Sequence, residues 1–369
     1  MASSRVCYLD NIRIFLTALV VLFHLISAYG APGIWYYVET KVELPVFIPM
    51  TIFISTTQAF FMGMFFMVSS FFLLPSLNRK GTKEFIFHRL LRLGIPLVVF
   101  YFFLGPLTYF IRDKFIYGME VKFPSYIIDP GIWYFGPMWF VESLLIFTFL
   151  FLLVRKFVQG LKLKFPGTVK ILLFALVIAL LQFMIRIWFP LRWSVPYTNL
   201  RIAFFVQYLA LFGVGIIAWQ NNWFENIKIR TSWRWFAFAQ VIIIIGFPTL
   251  FLLGGAATEG ETKFLGGFYW QNLTYSLWEQ LVAVSMIYGL LGIFKTCLNR
   301  QGNLARQLSC GTYGVYVMHP PLLLLVSLVF LNWHIPPLLK FLALAPIALA
   351  LCFLVACLVR KIPGVNRIM

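Results

Sequence analysis

The sequence predicts an all-α polytopic membrane protein of about ten transmembrane helices, with its N- and C-termini both in the cytoplasm. Two observations predict the class. Only 11% of the 369 residues are charged and the mean hydropathy is +0.88, too little polar surface to cover a soluble domain of this size. Apolar runs of membrane-spanning length then recur from one end of the chain to the other. No long hydrophilic stretch interrupts them, so residues 1–369 read as a single integral-membrane domain without a separate soluble domain.

The runs are bounded by charge, Pro or Gly, and lie near residues 11–29, 48–74, 90–111, 137–154, 170–189, 201–219, 234–253, 270–294, 308–331 and 337–359. The first, YLDNIRIFLTALVVLFHLISAYG, follows a charged start like that of a signal peptide. Its apolar run is about 19 residues, long enough to span and be retained. Charge closes the second run at Arg79 and Lys80, the fourth at Arg155 and Lys156, the eighth at Lys295 and the tenth at Arg360. Arg92 marks the start of the third, Lys170 the fifth, Arg201 the sixth, Arg234 the seventh and Arg306 the ninth.

Lys and Arg number 30 against 12 Asp and Glu, a formal charge of +18. With the N-terminus inside, 21 of the 30 cations, beginning with Arg5 and Arg13, fall on the cytoplasmic side. The positive-inside bias therefore accounts for the basicity without nucleic acid. Arg186, Arg192 and Arg201 depart from the bias, clustering on the outer side around RIWFPLRWSVPYTNLR. They read either as snorkelling to lipid phosphate or as a site for an anionic or polyhydroxylated ligand. Five cysteines show no spacing for a disulfide framework or a zinc site.

The ionisable residues inside the runs carry the functional signal, because lipid makes them costly. Arg13 and His24 are eleven positions apart. That spacing places them on one face of a helix, roughly 16 Å apart along its axis, with Arg13 at the cytoplasmic end. Asp10 lies one turn before Arg13 and is a possible partner. Glu142, Glu279 and His319 fall at depths similar to that of His24, in the middle to outer half of the bilayer. A shared polar cavity would explain all four; four separately partnered groups would as well. Arg89 and Arg92, in FHRLLRLGIP, share a helical face at the cytoplasmic mouth of the third run. They are either ordinary inner-loop cations or a clamp for a cytosolic phosphate. His88 and His334 lie at interfaces and read as structural. A Gly-rich phosphate loop, HExxH and GxSxG are missing.

Taken in order, RIFLTALVVLFH, HRLLR, GPMWFVESLLIF and SCGTYGVYVMHPP resemble the motifs of the membrane-bound acyltransferase-3 family, over nearly the whole chain. The overall layout looks most similar to the branch that modifies periplasmic glucans. The resemblance implies transfer of an acyl group, with acetyl or succinyl expected, from cytosolic acyl-CoA to a hydroxyl of an extracytoplasmic glycan. It implies His24 as the catalytic histidine, Arg13 as its partner, and Arg89 and Arg92 as the family's Arg-x-x-Arg; the charge of Arg13, Arg89 and Arg92 suits them to hold the donor's phosphates. Acyl-CoA enters as a donor substrate, and no cofactor or metal is expected to be bound permanently. A bacterial inner membrane is the implied setting. The fused extracytoplasmic domain of some members is not seen here, so the acceptor is expected to be held by spans and outer loops.

The chemistry suits this arrangement. A sugar hydroxyl is a poor nucleophile, and histidine, with an unperturbed pKa of about 6.5, is suited to take its proton. Direct transfer is expected, and an acyl-histidine intermediate is the alternative. Glu142, Glu279, His319, Arg186 and Arg201 are candidates for holding the acceptor or supporting the base. Two other functions fit intramembrane His and Glu: a proton-coupled secondary transporter and a non-catalytic glycan-assembly subunit. Against transport, no pair of broken hydrophobic segments recurs in the two halves.

Overall fold

The computed structural model describes residues 6–368; Arg5 lies outside the described residues. Ten helices are long and apolar enough to cross a membrane: α1 (Cys7–Ala28), α2 (Leu44–Lys80), α3 (Thr82–Ile116), α4 (Gly136–Val158), α5 (Thr168–Trp188), α6 (Ile202–Gln220), α7 (Ile229–Leu253), α8 (Trp270–Cys297), α9 (Asn303–Val329) and α10 (Pro337–Val359). Among the described residues there is no strand. A helix satisfies its own backbone hydrogen bonds, which lipid cannot do. Ten crossings return the chain to the side on which it starts. That side, which carries the ends of most basic segments, is the basic face below; the other is the opposite face.

Two helices run past their expected limits. α2 continues to Lys80, and α3 begins at Thr82, directly after a turn at Gly81 with φ +75°. The extra turns carry Arg79, Lys80, Lys83, Glu84 and His88. These side chains end the hydrophobic run without ending the helix. Within α3, π turns span Leu90–Gly94 and Phe100–Leu104, and α7 has one at Ile242–Gly246. Each of these three contains the residue four positions before a proline, Pro96, Pro106 or Pro248; a further π turn in α3, Arg112–Ile116, does not. The missing proline N–H leaves that residue's carbonyl without its usual partner, and the helix widens there. Arg92 sits in the first of these turns.

α8 and α2 are the most enclosed, with 78% and 72% of their most apolar stretch buried, against 17% for α7. They therefore form the interior, while α3, α5, α7 and α10 present most of their surface to lipid. α2 packs along α6 and α8, and α1 lies among α2, α8, α9 and α10. Lipid tails supply no hydrophobic drive between helices, so association depends on close packing. Small residues permit it. A Cβ on Gly215 of α6 would stand 2.2 Å from the Met67 carbonyl oxygen of α2, and one on Gly292 of α8 would stand 1.8 Å from the Ser232 hydroxyl of α7. Gly215→Leu is expected to separate α2 from α6 and cost about 1–3 kcal/mol, the usual range for overpacking. The loss is read as a lowered Tm in detergent; an unchanged Tm would show that the two helices can part freely.

Candidate functional site

Two large cavities open from opposite ends of α1. The one toward the basic face has a volume of 1290 Å³ and includes Arg13, Arg89 and Arg92 in its lining. Arg79, Lys80 and Arg360 join them, giving, among the described residues, six cationic side chains and one carboxylate, Asp10. Arg13 bonds Asp10 at 3.1 Å and lies over the Phe72 ring at 4.6 Å. Among the described residues no carboxylate pairs with Arg89 or Arg92. Such a concentration of guanidinium groups suits a ligand with several phosphates, which guanidinium binds bidentately. The spacing of Arg13, Arg89 and Arg92 pointed to this place. Arg79, Lys80 and Arg360 did not stand out in the sequence, because they looked like any other inner-loop cations.

The opposite-face cavity is 670 Å³ and is lined by His24. The imidazole is partly exposed to it. Its ring stacks on Trp35 at 4.3 Å and on His319 at 5.0 Å between centroids. His24 Nδ1 lies 3.1 Å from His319 Nε2, and His319 Nδ1 lies 2.7 Å from the Tyr316 carbonyl oxygen. His319 is fully buried. α1 and α9, which pack side by side, supply the two rings. Trp35 comes from the loop after α1. That loop is held to α10 by an ion pair between buried Lys340 and partly exposed Glu39, Nζ to the carboxylate at 2.7 and 2.9 Å. No spacing in the sequence could have marked Trp35, since a loop has no periodicity.

The rest of the cavity is aromatic and polar, including Tyr36, Tyr134, Trp139, Tyr208 and Asn199. Such a wall suits a sugar, whose CH faces stack on rings and whose hydroxyls need hydrogen bonds. Burial raises the Tyr36 phenol well above its ordinary pKa, and the Tyr134 phenol to about 12, so both stay protonated. The Tyr36 hydroxyl occupies the space that a Cβ on Gly136 would need, 2.5 Å away, and Gly136 itself has φ +49°. This is the reason for glycine in GPMW. Arg201 lines the cavity, and burial draws its guanidinium below the ordinary range. Arg192 also lines it but is paired with Glu261.

Among the described residues, Tyr316 is the one side chain common to the linings of both cavities. Its hydroxyl donates to the Pro137 carbonyl. It therefore stands as a partition between the arginine cluster and His24.

The expectation of one polar cavity around His24, Glu142, Glu279 and His319 requires correction. His319 does meet His24. Glu279 is instead fully buried against Arg186 at 2.6 Å and Gln182 at 2.5 Å, and lines neither cavity. Arg186 is also fully buried, and bonds the Ser276 hydroxyl at 3.1 Å. It neither snorkels to lipid nor faces a ligand. The physical reason is that a buried charge is stable only when paired and hydrogen-bonded, and α5 and α8 bring these two together. The network continues from Gln182 to Gln280 at 2.6 Å and from Gln207 to the Ala59 carbonyl at 2.7 Å, reaching α6 and α2. Glu142 lines neither cavity, and its buried Oε2 has no hydrogen-bond partner among the described residues.

Comparison with known proteins adds one finding: residues 7–357 match the family profile described as an acyltransferase domain, acyltransferase-3. No curated protein and no solved structure matches.

The paired state of Arg186 has a measurable consequence. Arg186→Met leaves Glu279 buried and alone, and is expected to cost about 3–5 kcal/mol, whereas Arg186→Met with Glu279→Leu recovers most of it. Thermal unfolding of the three proteins in one detergent reads this. A double variant no more stable than the single would show that the two charges do not depend on each other.

Proposed function

Because the chain belongs to the acyltransferase-3 family, whose members transfer acyl groups to carbohydrate hydroxyls, we propose that it takes the acyl group from acyl-CoA bound at the basic face and passes it to a glycan hydroxyl entering from the opposite face, with His24 as general base. The observation that carries this reading is the pair of cavities at the two ends of α1, one with six cations and the other with His24, meeting at Tyr316. The basic face is then cytoplasmic and the membrane a bacterial inner membrane. Acetyl or succinyl is the group transferred.

The phosphates of the donor lie among Arg13, Arg89 and Arg92, with Arg79, Lys80 and Arg360 around them. Its pantetheine arm runs along α1 past Tyr316. Eleven helical residues rise roughly 16 Å, a length such an arm can cover. The acceptor lies against Trp35, Tyr36 and Tyr134, with Arg201 binding its hydroxyls or an anionic substituent. The acceptor hydroxyl attacks the thioester carbonyl carbon as its proton moves to His24. The carbonyl electron pair moves onto oxygen, then returns as the C–S bond breaks. The thiolate leaves with the proton that His24 held. The His24 ring begins and ends neutral.

Purified protein, labelled acetyl-CoA or succinyl-CoA and envelope glycans are the components of the test. His24→Ala is expected to lower kcat by about 10²–10⁴-fold, the usual worth of a general base, with CoA affinity retained. Equal transfer by this variant would remove His24 from the role. Arg89→Gln with Arg92→Gln is expected to weaken acyl-CoA binding by at least about tenfold, since a charged hydrogen bond to phosphate is worth about 1.5–3 kcal/mol. Unchanged affinity in the folded double variant would place the donor elsewhere.

A further inference from the structure

We propose that His319 is a positioning residue that fixes the tautomer of His24, holding the proton on Nδ1 and leaving the lone pair of Nε2 free for the acceptor hydroxyl. This rests on the reading of His24 as the base and adds which of its nitrogens acts and what determines it.

A proline in α9 sets the hydrogen bonding of these rings. In α9 the carbonyl of Tyr316 would ordinarily accept from the backbone N–H of residue 320. That residue is Pro320, which has none. A buried carbonyl without a partner is costly. The His319 ring fills the vacancy, with Nδ1 2.7 Å from the Tyr316 oxygen. A carbonyl oxygen only accepts, so His319 Nδ1 must carry a hydrogen. The ring is fully buried, which favours the neutral form, and a neutral imidazole has one N–H. Nε2 of His319 therefore presents a lone pair. It faces Nδ1 of His24 at 3.1 Å. Two lone pairs would repel there, so His24 Nδ1 donates. The Val20 carbonyl, four residues back along α1, is a further hydrogen-bond acceptor for the His24 ring. What remains on His24 is an unprotonated Nε2.

The chain Tyr316 carbonyl, His319, His24 thus assigns each proton in turn. Trp35, stacked on His24, holds the plane of the ring while the hydrogen bond sets its rotation. When Nε2 takes the acceptor's proton, the imidazolium still donates through Nδ1 to His319, so the charge forms against a lone pair already in place. His24 becomes cationic and His319 stays neutral. The proton later returns from Nε2 to the departing thiolate.

Three variants separate this from a packing role. His319→Phe keeps the ring volume and removes the acceptor. His319→Gln can present its carbonyl oxygen where Nε2 stood. Pro320→Ala restores the N–H that competes for the Tyr316 carbonyl. Relative to wild type, His319→Phe and Pro320→Ala are expected to lose kcat by about 10–100-fold, part of the worth of a well-placed base, with KM for acyl-CoA within about twofold. His319→Gln is expected to recover at least a third of the activity. Equal losses in His319→Phe and His319→Gln, or none in either, would overturn the proposal. The direct readout is ring ¹⁵N NMR on histidine-labelled protein, which holds only four histidines. His24 is expected to show a protonated Nδ1 and an unprotonated Nε2, the pattern being lost in His319→Phe. A protonated Nε2 in resting wild type would overturn the assignment. The NMR result does not depend on turnover, so a protein without acyl-CoA-dependent transfer would refute the proposed function while leaving the tautomer assignment to stand or fall by itself.

Discussion

The cost of an unpaired charge in a medium without water governs this structure. Each buried cation described above resolves that cost by meeting an opposite charge or by facing a cavity. Arg186 with Glu279, and Lys340 with Glu39, take the first course and hold helices or a loop together. Arg89, Arg92 and Arg201 take the second. The division separates scaffold from site more sharply than depth in the membrane does. Arg186 and Arg201 are close in sequence and on the same side of the bilayer, yet one is enclosed in a network and the other lines the cavity of His24.

The polar scaffold also explains how the site is kept in shape. The network that starts at Arg186 joins α5, α8, α6 and α2, and the two most enclosed helices are among them. The Lys340–Glu39 pair holds the loop that brings Trp35 over His24. Close helix contacts through Gly215 and Gly292 leave these buried polar groups little freedom to move apart. Precision at an imidazole requires such support, since an error of about 1 Å in placement is enough to cost orders of magnitude in rate.

Much of this was legible in the sequence, for physical reasons. Ten apolar runs had to become ten helices, because lipid permits little else. The eleven-residue interval from Arg13 to His24 set one residue at each cavity, since helical rise and twist are fixed. The three-residue step from Arg89 to Arg92 put both into one cavity. What the sequence could not show was pairing between helices. Glu279 and His319 lie at similar depths, yet α5 brings Arg186 to the first and α1 brings His24 to the second. Trp35 stayed hidden because it lies in a loop. The extensions of α2 and α3 were missed because hydropathy marks where lipid ends, not where a helix does.

In the proposed reaction, donor and acceptor reach His24 from opposite faces, on either side of Tyr316. Reconstitution into sealed vesicles of known orientation tests it most directly, with labelled acyl-CoA on one side and glycan enclosed on the other. Product is expected only when acyl-CoA is on the face of Arg13, Arg89 and Arg92 and the glycan is on the other. Equal product with both substrates confined to one face would contradict a transfer through the membrane.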